Sequence, residues 1–112
     1  MADMSKDHIV PLTPAVFYIL LALFEKDRHG YDIMGQVSED SEGKVTMGPG
    51  TLYGSLDRMM DAGLVERSPH RSQDTRRIYY RLTAEGKKIL QAEVDRISLA
   101  AKIAASRHLK VA

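Results

Sequence analysis

The sequence contains no cysteine and no tryptophan, and its four histidines are scattered along 112 residues. The lack of cysteine excludes disulfide bridges and thiolate catalysis, and the histidine spacing offers no zinc-binding set. The longest apolar run, Ala15 to Phe24, is half as long as the roughly 20 residues that a membrane-spanning helix needs. The N-terminus also lacks the basic and apolar stretches of an export signal. We therefore expect a cytoplasmic protein without a membrane partner.

Sequence motifs of catalysis are missing as well. We find no P-loop, dinucleotide fingerprint, paired carboxylates or metal-ligand cluster, and therefore predict no enzyme activity, no catalytic residue, no metal site and no cofactor. Histidine is a common catalytic base, but His29 is predicted in a turn beside Gly30, where a histidine is more often structural. The length of 112 residues suits one compact domain.

Charge is unevenly distributed along the chain, although the formal net charge is only +1. Residues 1–48 hold four lysines and arginines against eight acidic residues, residues 49–82 hold six against four, and residues 83–112 hold six against three. Local fields matter more to a polyanionic partner than the total charge does. The basic part of the chain therefore begins near Pro49.

Two of the predicted helices carry more apolar surface than one small domain can cover. Thr13 and Pro14 begin the first helix, which should run to about Lys26 and is apolar on every side. Thr83 caps the last helix, which should run to about His108 and would be near 40 Å long at about 1.5 Å per residue. We expect both helices to find a partner. The alternative for the last one is a plain surface helix, because its alanines also favour helix formation.

Two shorter helices lie between them. The second helix is predicted from the turn at His29-Gly30 to near Ser41, because apolar residues recur there at three-residue steps. The third is predicted from Pro49 to Ala62, since proline suits the first helical position and Gly63 suits the position after a helix end. Short helices joined by a sharp turn have the layout of a helix-turn-helix.

A hairpin is predicted after the third helix, with strands at Leu64 to Ser68 and Arg76 to Leu82. In the second strand, Ile78, Tyr80 and Leu82 should share an apolar face, while the opposite face carries arginines. The predicted fold class is mainly α with a small β-hairpin: a winged helix-turn-helix followed by a long C-terminal helix.

Ordered motifs between about residues 12 and 90 make the chain similar to one known family. They are His29-Gly30-Tyr31-Asp32-Ile33, Gly48-Pro49-Gly50-Thr51-Leu52-Tyr53 with Leu56 and Arg58-Met59, Gly63-Leu64-Val65, and Tyr79-Tyr80-Arg81-Leu82-Thr83 with Gly86. As a set they resemble the PadR family of transcriptional regulators, in the short form with a single C-terminal helix. The resemblance implies a homodimer that places two recognition helices on a palindromic operator. Repression in response to a ligand is also implied by the family.

The third helix should enter the major groove of double-stranded DNA, where base edges can be distinguished, while the hairpin forms the wing. Gly54 costs about 1 kcal/mol relative to alanine in mid-helix, and close approach of the backbone to DNA would compensate. The alternatives are drift at an exposed site for Gly54 and a solvated basic loop for the wing. The residues expected to contact DNA are Gly50, Thr51, Tyr53, Gly54, Ser55 and Arg58 from the helix, and Arg71, Arg76 and Arg77 from the wing.

The chain is expected to divide into a flexible segment at residues 1–11, a winged helix-turn-helix DNA-binding domain at 12–82 and a C-terminal dimerisation helix at 83–112. A small-molecule effector, if there is one, should bind near the first and last helices. The lack of tryptophan argues against the tryptophan-lined drug site of multidrug-binding relatives. A second hypothesis is a winged-helix protein-interaction module without specific DNA binding. The expected dimer-interface residues are Val16, Phe17, Leu20, Leu21, Phe24, Leu90, Val94, Ile97, Ala101 and Ala104.

Overall fold

A computed structural model describes residues 12–69 and 76–111, so the segment 1–11 that we expected to be flexible lies outside the described residues. Three strands form one antiparallel sheet, in which the last strand along the chain lies between the other two. The predicted fold class, mainly α with a small β-hairpin, is confirmed. In chain order the elements are α1 (Pro14–Glu25), β1 (Arg28–His29), α2 (Gly30–Asp40), α3 (Pro49–Asp61), β2 (Val65–Arg67), β3 (Tyr79–Leu82) and α4 (Ala84–Ser106).

The helix ends follow from local chemistry. The hydroxyl oxygens of Thr13 and Thr83 accept backbone N–H groups in the first turns of α1 and α4, as N-caps do. Gly63 follows α3 with a φ of +78°, a conformation that glycine adopts at little cost. This turn lets the Leu64 N–H donate to the Met59 carbonyl at 2.9 Å, which satisfies the end of α3.

Strand β1 is an element that the sequence did not indicate. A turn was predicted at His29-Gly30, but His29 and the preceding Arg28 pair with Tyr79 and Tyr80 of β3. The His29 Nδ1 also accepts the Asp32 N–H at 3.3 Å and so caps α2. Two residues are too few to show the apolar-polar alternation by which a strand is recognised in a sequence. Arg28 and His29 form a strand only because they pair with β3.

The hairpin is shorter than we predicted. Strand β2 spans Val65–Arg67 and β3 spans Tyr79–Leu82, within the wider ranges expected from the sequence. Ile78 precedes β3 and is 43% exposed, so the prediction that it shares the buried face of Tyr80 and Leu82 is wrong. The apolar spacing in the sequence begins at Ile78, whereas the hydrogen-bonded strand begins one residue later, at Tyr79.

The hydrophobic core lies where α1, α2 and α3 meet the sheet and the first half of α4. Helix α1 contacts α2, β3 and α4, so several of its sides are covered within one chain. Leu20 and Leu90, expected at a dimer interface, are only 0% and 4% exposed and belong to this core. That expectation is corrected, because neither side chain has surface left to offer a partner.

Helix α4 has two unlike halves. Its buried residues are Gly86, Leu90 and Glu93, all in the first half of its 23 residues. Beyond them the helix continues to Ser106 with exposed apolar side chains, Leu99 among them. At about 1.5 Å per residue the whole helix is about 34 Å long, so its second half extends past the core. In the described ranges, 12–69 and 76–111, no helix combines the length and apolar character needed to cross a membrane.

Candidate nucleic-acid interface

Helix α3 has one buried and one exposed side. Leu52, Leu56 and Met59 are fully buried against the core. The residues that we expected on the opposite side are mostly accessible. Gly50, Thr51, Tyr53 and Arg58 are exposed, and Gly54 is partly exposed.

Ser55 is the exception on this helix, and its predicted contact with DNA is corrected. Its side chain is buried, with 3% exposure, because the inward arc of α3 is wide enough to include it beside Leu52 and Leu56. The Arg58 Nη2 donates to the Ser55 Oγ at 3.3 Å. Ser55 therefore contacts the guanidinium group of Arg58 instead of facing outward.

Tyr53 joins α3 to the start of α2. Its phenol lies against Gly30, where an added Cβ would come within 2.8 Å of the Tyr53 Cζ and overlap the hydroxyl oxygen. Glycine at residue 30 therefore makes room for the ring. The ring is 42% exposed, and its hydroxyl sits at the N-terminus of α2, where helix N–H groups favour negative charge.

The glycines on the outer side of α3 have no packing role that the described residues reveal. A Cβ added at Gly50 would meet no atom of those residues within 4 Å, and one at Gly54 would meet only the Arg58 Nη1, at 3.8 Å. Neither glycine has a positive φ. Open space in front of both leaves the α3 backbone accessible from outside.

Two of the three wing arginines predicted to contact DNA lie within the described residues. Arg76 and Arg77 are exposed just before β3, whereas Arg71 lies outside the described residues. The Arg77 Nη1 is 3.3 Å from the His29 Nε2, and the His29 ring packs edge-on against Tyr79 with 5.3 Å between centroids. The root of the wing is thus in contact with β1.

A cleft of about 530 Å³ separates α3 from this root. One of its basic residues, Arg67, was not among the predicted DNA contacts; it is exposed at the end of β2 and pairs in register with Tyr80. A charged residue at a strand end carries little signal by itself, and only the fold brings it near the other arginines. The cleft is lined by His29, Gly30, Tyr31, Tyr53, Asp57, Arg67, Arg76, Arg77, Ile78 and Tyr80.

Polar contacts join the two strands of the hairpin and fix the hairpin to the segment before β1. The Arg81 Nε donates to the Glu66 Oε2 across the two strands at 2.8 Å. The Ser68 hydroxyl donates to Asp27 in the segment before β1. The Ser68 contact therefore holds the end of β2 against the segment that joins α1 to β1.

A second surface, made by α1 and the outer part of α4, is apolar and accessible. Phe24 is 58% exposed, Val94 lies beside it on α4, and Ile97 is exposed about one turn further along α4. The remaining expected interface residues, Val16, Phe17, Leu21, Ala101 and Ala104, are half-buried.

A groove of about 360 Å³ between α1 and α4 adjoins this surface. Glu93 lies in its wall, buried, and its carboxylate accepts the Leu12 N–H at 2.9 Å and a hydrogen bond from the Arg96 Nε. The Leu12 hydrogen bond, assisted by Arg96, lowers the pKa of the Glu93 carboxyl. The groove is lined by Leu12, Pro14, Phe17, Tyr18, Glu93, Arg96 and Ile97.

Solved structures of transcriptional regulators share this fold. A PadR family transcription regulator from Clostridium difficile is 30% identical, with a TM-score of 0.72 over 87% of this chain and 100% of that one. RosR from H. salinarum is 32% identical, with a TM-score of 0.62 over 84% of this chain and 78% of that one. A transcriptional regulator from Clostridium thermocellum has the same fold at 24% identity, with a TM-score of 0.68 over 98% of this chain and 99% of that one.

No curated protein sequence matches the chain significantly. The profile of the transcriptional regulator PadR-like family matches residues 19–92, which cover most of the helix-turn-helix, the hairpin and the start of α4. The matching family and two of the solved structures above are transcriptional regulators. The chain therefore belongs to the PadR-like family of transcriptional regulators.

Proposed function

We propose that the chain is a transcriptional repressor that binds a palindromic DNA operator as a homodimer. One observation carries the proposal. The exposed side of α3, with open space in front of Gly50 and Gly54, borders a cleft that contains three arginines. A helix that reads the major groove needs an accessible surface, and the adjoining DNA backbone needs positive charge.

The two parts of this surface have different tasks. Thr51 at the start of α3 bonds base edges or phosphate, and Tyr53 and Arg58 on its flanks contact the backbone. Arg71, Arg76 and Arg77 of the wing neutralise phosphates or enter a narrow minor groove. Phosphate contacts fix the register of the helix, and base contacts supply the sequence preference.

The apolar surface of α1 and α4 is the proposed dimer interface. Val94 and Ile97 expose apolar area on a helix that extends beyond its own core, and Phe24 of α1 extends that area. Burial of such surface by a second copy would be favourable at roughly 25 cal/mol per Å². A two-fold dimer would hold two copies of α3 at a fixed spacing, which a palindromic operator matches.

The groove between α1 and α4 is the proposed effector site. Phe17, Tyr18 and Ile97 give it an apolar wall, and Glu93 with Arg96 gives it a polar one. Because the same helices form the proposed interface, a small molecule bound there would change the relative position of the two subunits. The ligand would bind one arrangement of the two subunits more tightly than the other. DNA affinity would then depend on the ligand concentration.

A gel-shift experiment with the duplex upstream of the chain's own gene, at two salt concentrations, tests the proposal. Sequence-selective binding that weakens steeply with salt is expected, because phosphate contacts release counterions. Equally weak binding to every duplex would instead favour the winged-helix protein-interaction module. Sedimentation at micromolar concentration should give a dimer, and a monomer would reject the interface assigned to α1 and α4.

A further inference from the structure

Two glycines and two aspartates form a line along the middle of the outward side of α3, which we call the centre line. At 3.6 residues per turn, its members lie within about 60° of one another around the helix axis, opposite the buried side. The members of this centre line are Gly50, Gly54, Asp57 and Asp61.

The first half of the centre line presents backbone alone. Among the described residues, a Cβ at Gly50 would have no neighbour within 4 Å, and a Cβ at Gly54 would have only the Arg58 Nη1. Asp57 is consequently the first side chain met along this line from the N-terminus of α3. It is exposed and forms part of the wall of the cleft that faces the wing.

The chemistry of a carboxylate limits what Asp57 can recognise. An aspartate carboxylate has two acceptor oxygens and no donor. In the major groove, guanine presents two acceptors and thymine presents an acceptor and a methyl group, so both disfavour a carboxylate. Adenine presents its amine beside the N7 acceptor, whereas cytosine presents the N4 amine as its only polar group there. Cytosine is therefore the base that this side chain fits.

We infer that Asp57 determines specificity by accepting a hydrogen bond from the N4 amine of a cytosine, at one base pair in each operator half-site. The inference rests on the proposed function, since it assumes that α3 enters the major groove. The glycines allow the helix to come close enough for so short a side chain to reach a base edge. Arg67, Arg76 and Arg77 in the same cleft offset the repulsion between the carboxylate and the phosphates.

Selection from a pool of randomised duplexes tests this inference with the full chain. The wild type should enrich cytosine at one position per half-site. The variant Asp57→Asn should shift that position toward adenine, because an amide can bond the N6 and N7 groups together. The preference for cytosine over adenine should change by about tenfold or more, the range of a good base contact. The variant Asp57→Ala should lose the cytosine preference and gain no other.

The matched control is Asp61→Asn, which makes the same charge change one turn further along the same line. It should keep the cytosine preference at the position in question. If Asp57→Asn instead strengthens binding to all duplexes equally and preserves the base preference, the inference is wrong, and Asp57 acts only through its charge or by orienting the arginines. A wild type that enriches no sequence would reject the proposed function as well, so the two failures are distinguishable.

Discussion

Gly86 lies so close to Leu64 that residue 86 has no room for a side chain. A Cβ built at Gly86 would overlap the Leu64 carbonyl oxygen and approach its carbonyl carbon to 3.1 Å. The same carbonyl accepts the Thr83 N–H at 3.0 Å, so the first turn of α4 is fixed to the start of the hairpin. This contact sets where the wing leaves the core.

We predict that Gly86→Ala lowers the free energy of unfolding by about 2 kcal/mol, because overpacking against backbone outweighs the gain in helix propensity. Urea denaturation measures the change. Gly35→Ala is the matched control, since a Cβ there would meet open space among the described residues. It should stabilise the protein by up to about 1 kcal/mol. Equal effects at the two glycines would mean that the Gly86 contact with Leu64 is not tight.

A buried arginine joins α1 to α2. The Arg28 side chain is 3% exposed, and its Nη atoms lie 2.7 Å from carboxylate oxygens of Glu25 and Asp32. Its Nε donates to the Ala22 carbonyl at 2.9 Å, a group near the end of α1 that the helix itself leaves without a donor. The guanidinium therefore satisfies acceptors on both sides of the α1–α2 connection.

Arg28→Met should lower the free energy of unfolding by about 2–4 kcal/mol, because it leaves a buried carbonyl and a half-buried carboxylate without their donor. The control is Arg81→Met, which removes a contact of similar length, 2.8 Å, to Glu66 at a site where the arginine is 43% exposed. That loss should stay below about 1 kcal/mol. Chemical denaturation of both variants makes the comparison, and similar losses would show that burial does not decide the outcome.

Acid should destabilise the fold partly through Glu93. Its pKa is lowered in the folded protein, so the ionised carboxylate stabilises the fold. This contribution is complete above the usual value of 4.5 and is lost as the pH falls through the lowered pKa. Glu93→Gln should therefore be less stable than the wild type at neutral pH, with a difference that shrinks as the pH falls below 4.5. Urea midpoints across this range test it, with Asp95→Asn on the exposed side of α4 as a control. A constant difference at all pH values would contradict the prediction.

The helix boundaries could be predicted from the sequence because they depend on local chemistry. Pro14 and Pro49 occupy first helical positions, Thr83 caps α4, and Gly63 adopts the positive φ that ends α3. Each of these signals acts within one turn of the chain. They need no knowledge of the tertiary fold.

The burial of single side chains was predicted less well, since it depends on which elements meet. Leu20 and Leu90 have the apolar character of interface residues, and only the packing of α1 against α4 places them in the core. Ser55 is polar but falls within the inward arc of α3. Arg67 reaches the cleft through the register of β2 with β3, which the sequence pattern did not specify.

The wing arginines should contribute to DNA affinity without contributing to specificity. Replacing Arg76 and Arg77 together with alanine removes two positive charges beside the cleft. We expect weaker binding to all duplexes and a salt dependence that is smaller by about two units of log–log slope, because two fewer counterions are released. Fluorescence anisotropy at several salt concentrations measures both, and circular dichroism should show an intact fold.

The matched control for the wing is the pair Lys102→Ala and Lys110→Ala, which removes the same charge near the end of the chain. It should leave the slope almost unchanged, because charges far from the phosphates release few counterions. If both double variants behave alike, net charge explains the effect. An unchanged affinity for the wing variant would remove the wing from the mechanism.

Replacing Gly54 with alanine should affect stability and DNA binding in opposite directions. A Cβ at this position meets only the Arg58 Nη1 at 3.8 Å among the described residues, so Gly54→Ala should raise the free energy of unfolding by up to about 1 kcal/mol. If the α3 backbone approaches the floor of the major groove here, the added methyl group must weaken DNA binding at the same time. Thermal denaturation and anisotropy on one preparation give both values. A variant that is more stable and binds DNA as tightly as the wild type would show that Gly54 reflects drift at an exposed site, because nothing would then oppose replacement by alanine.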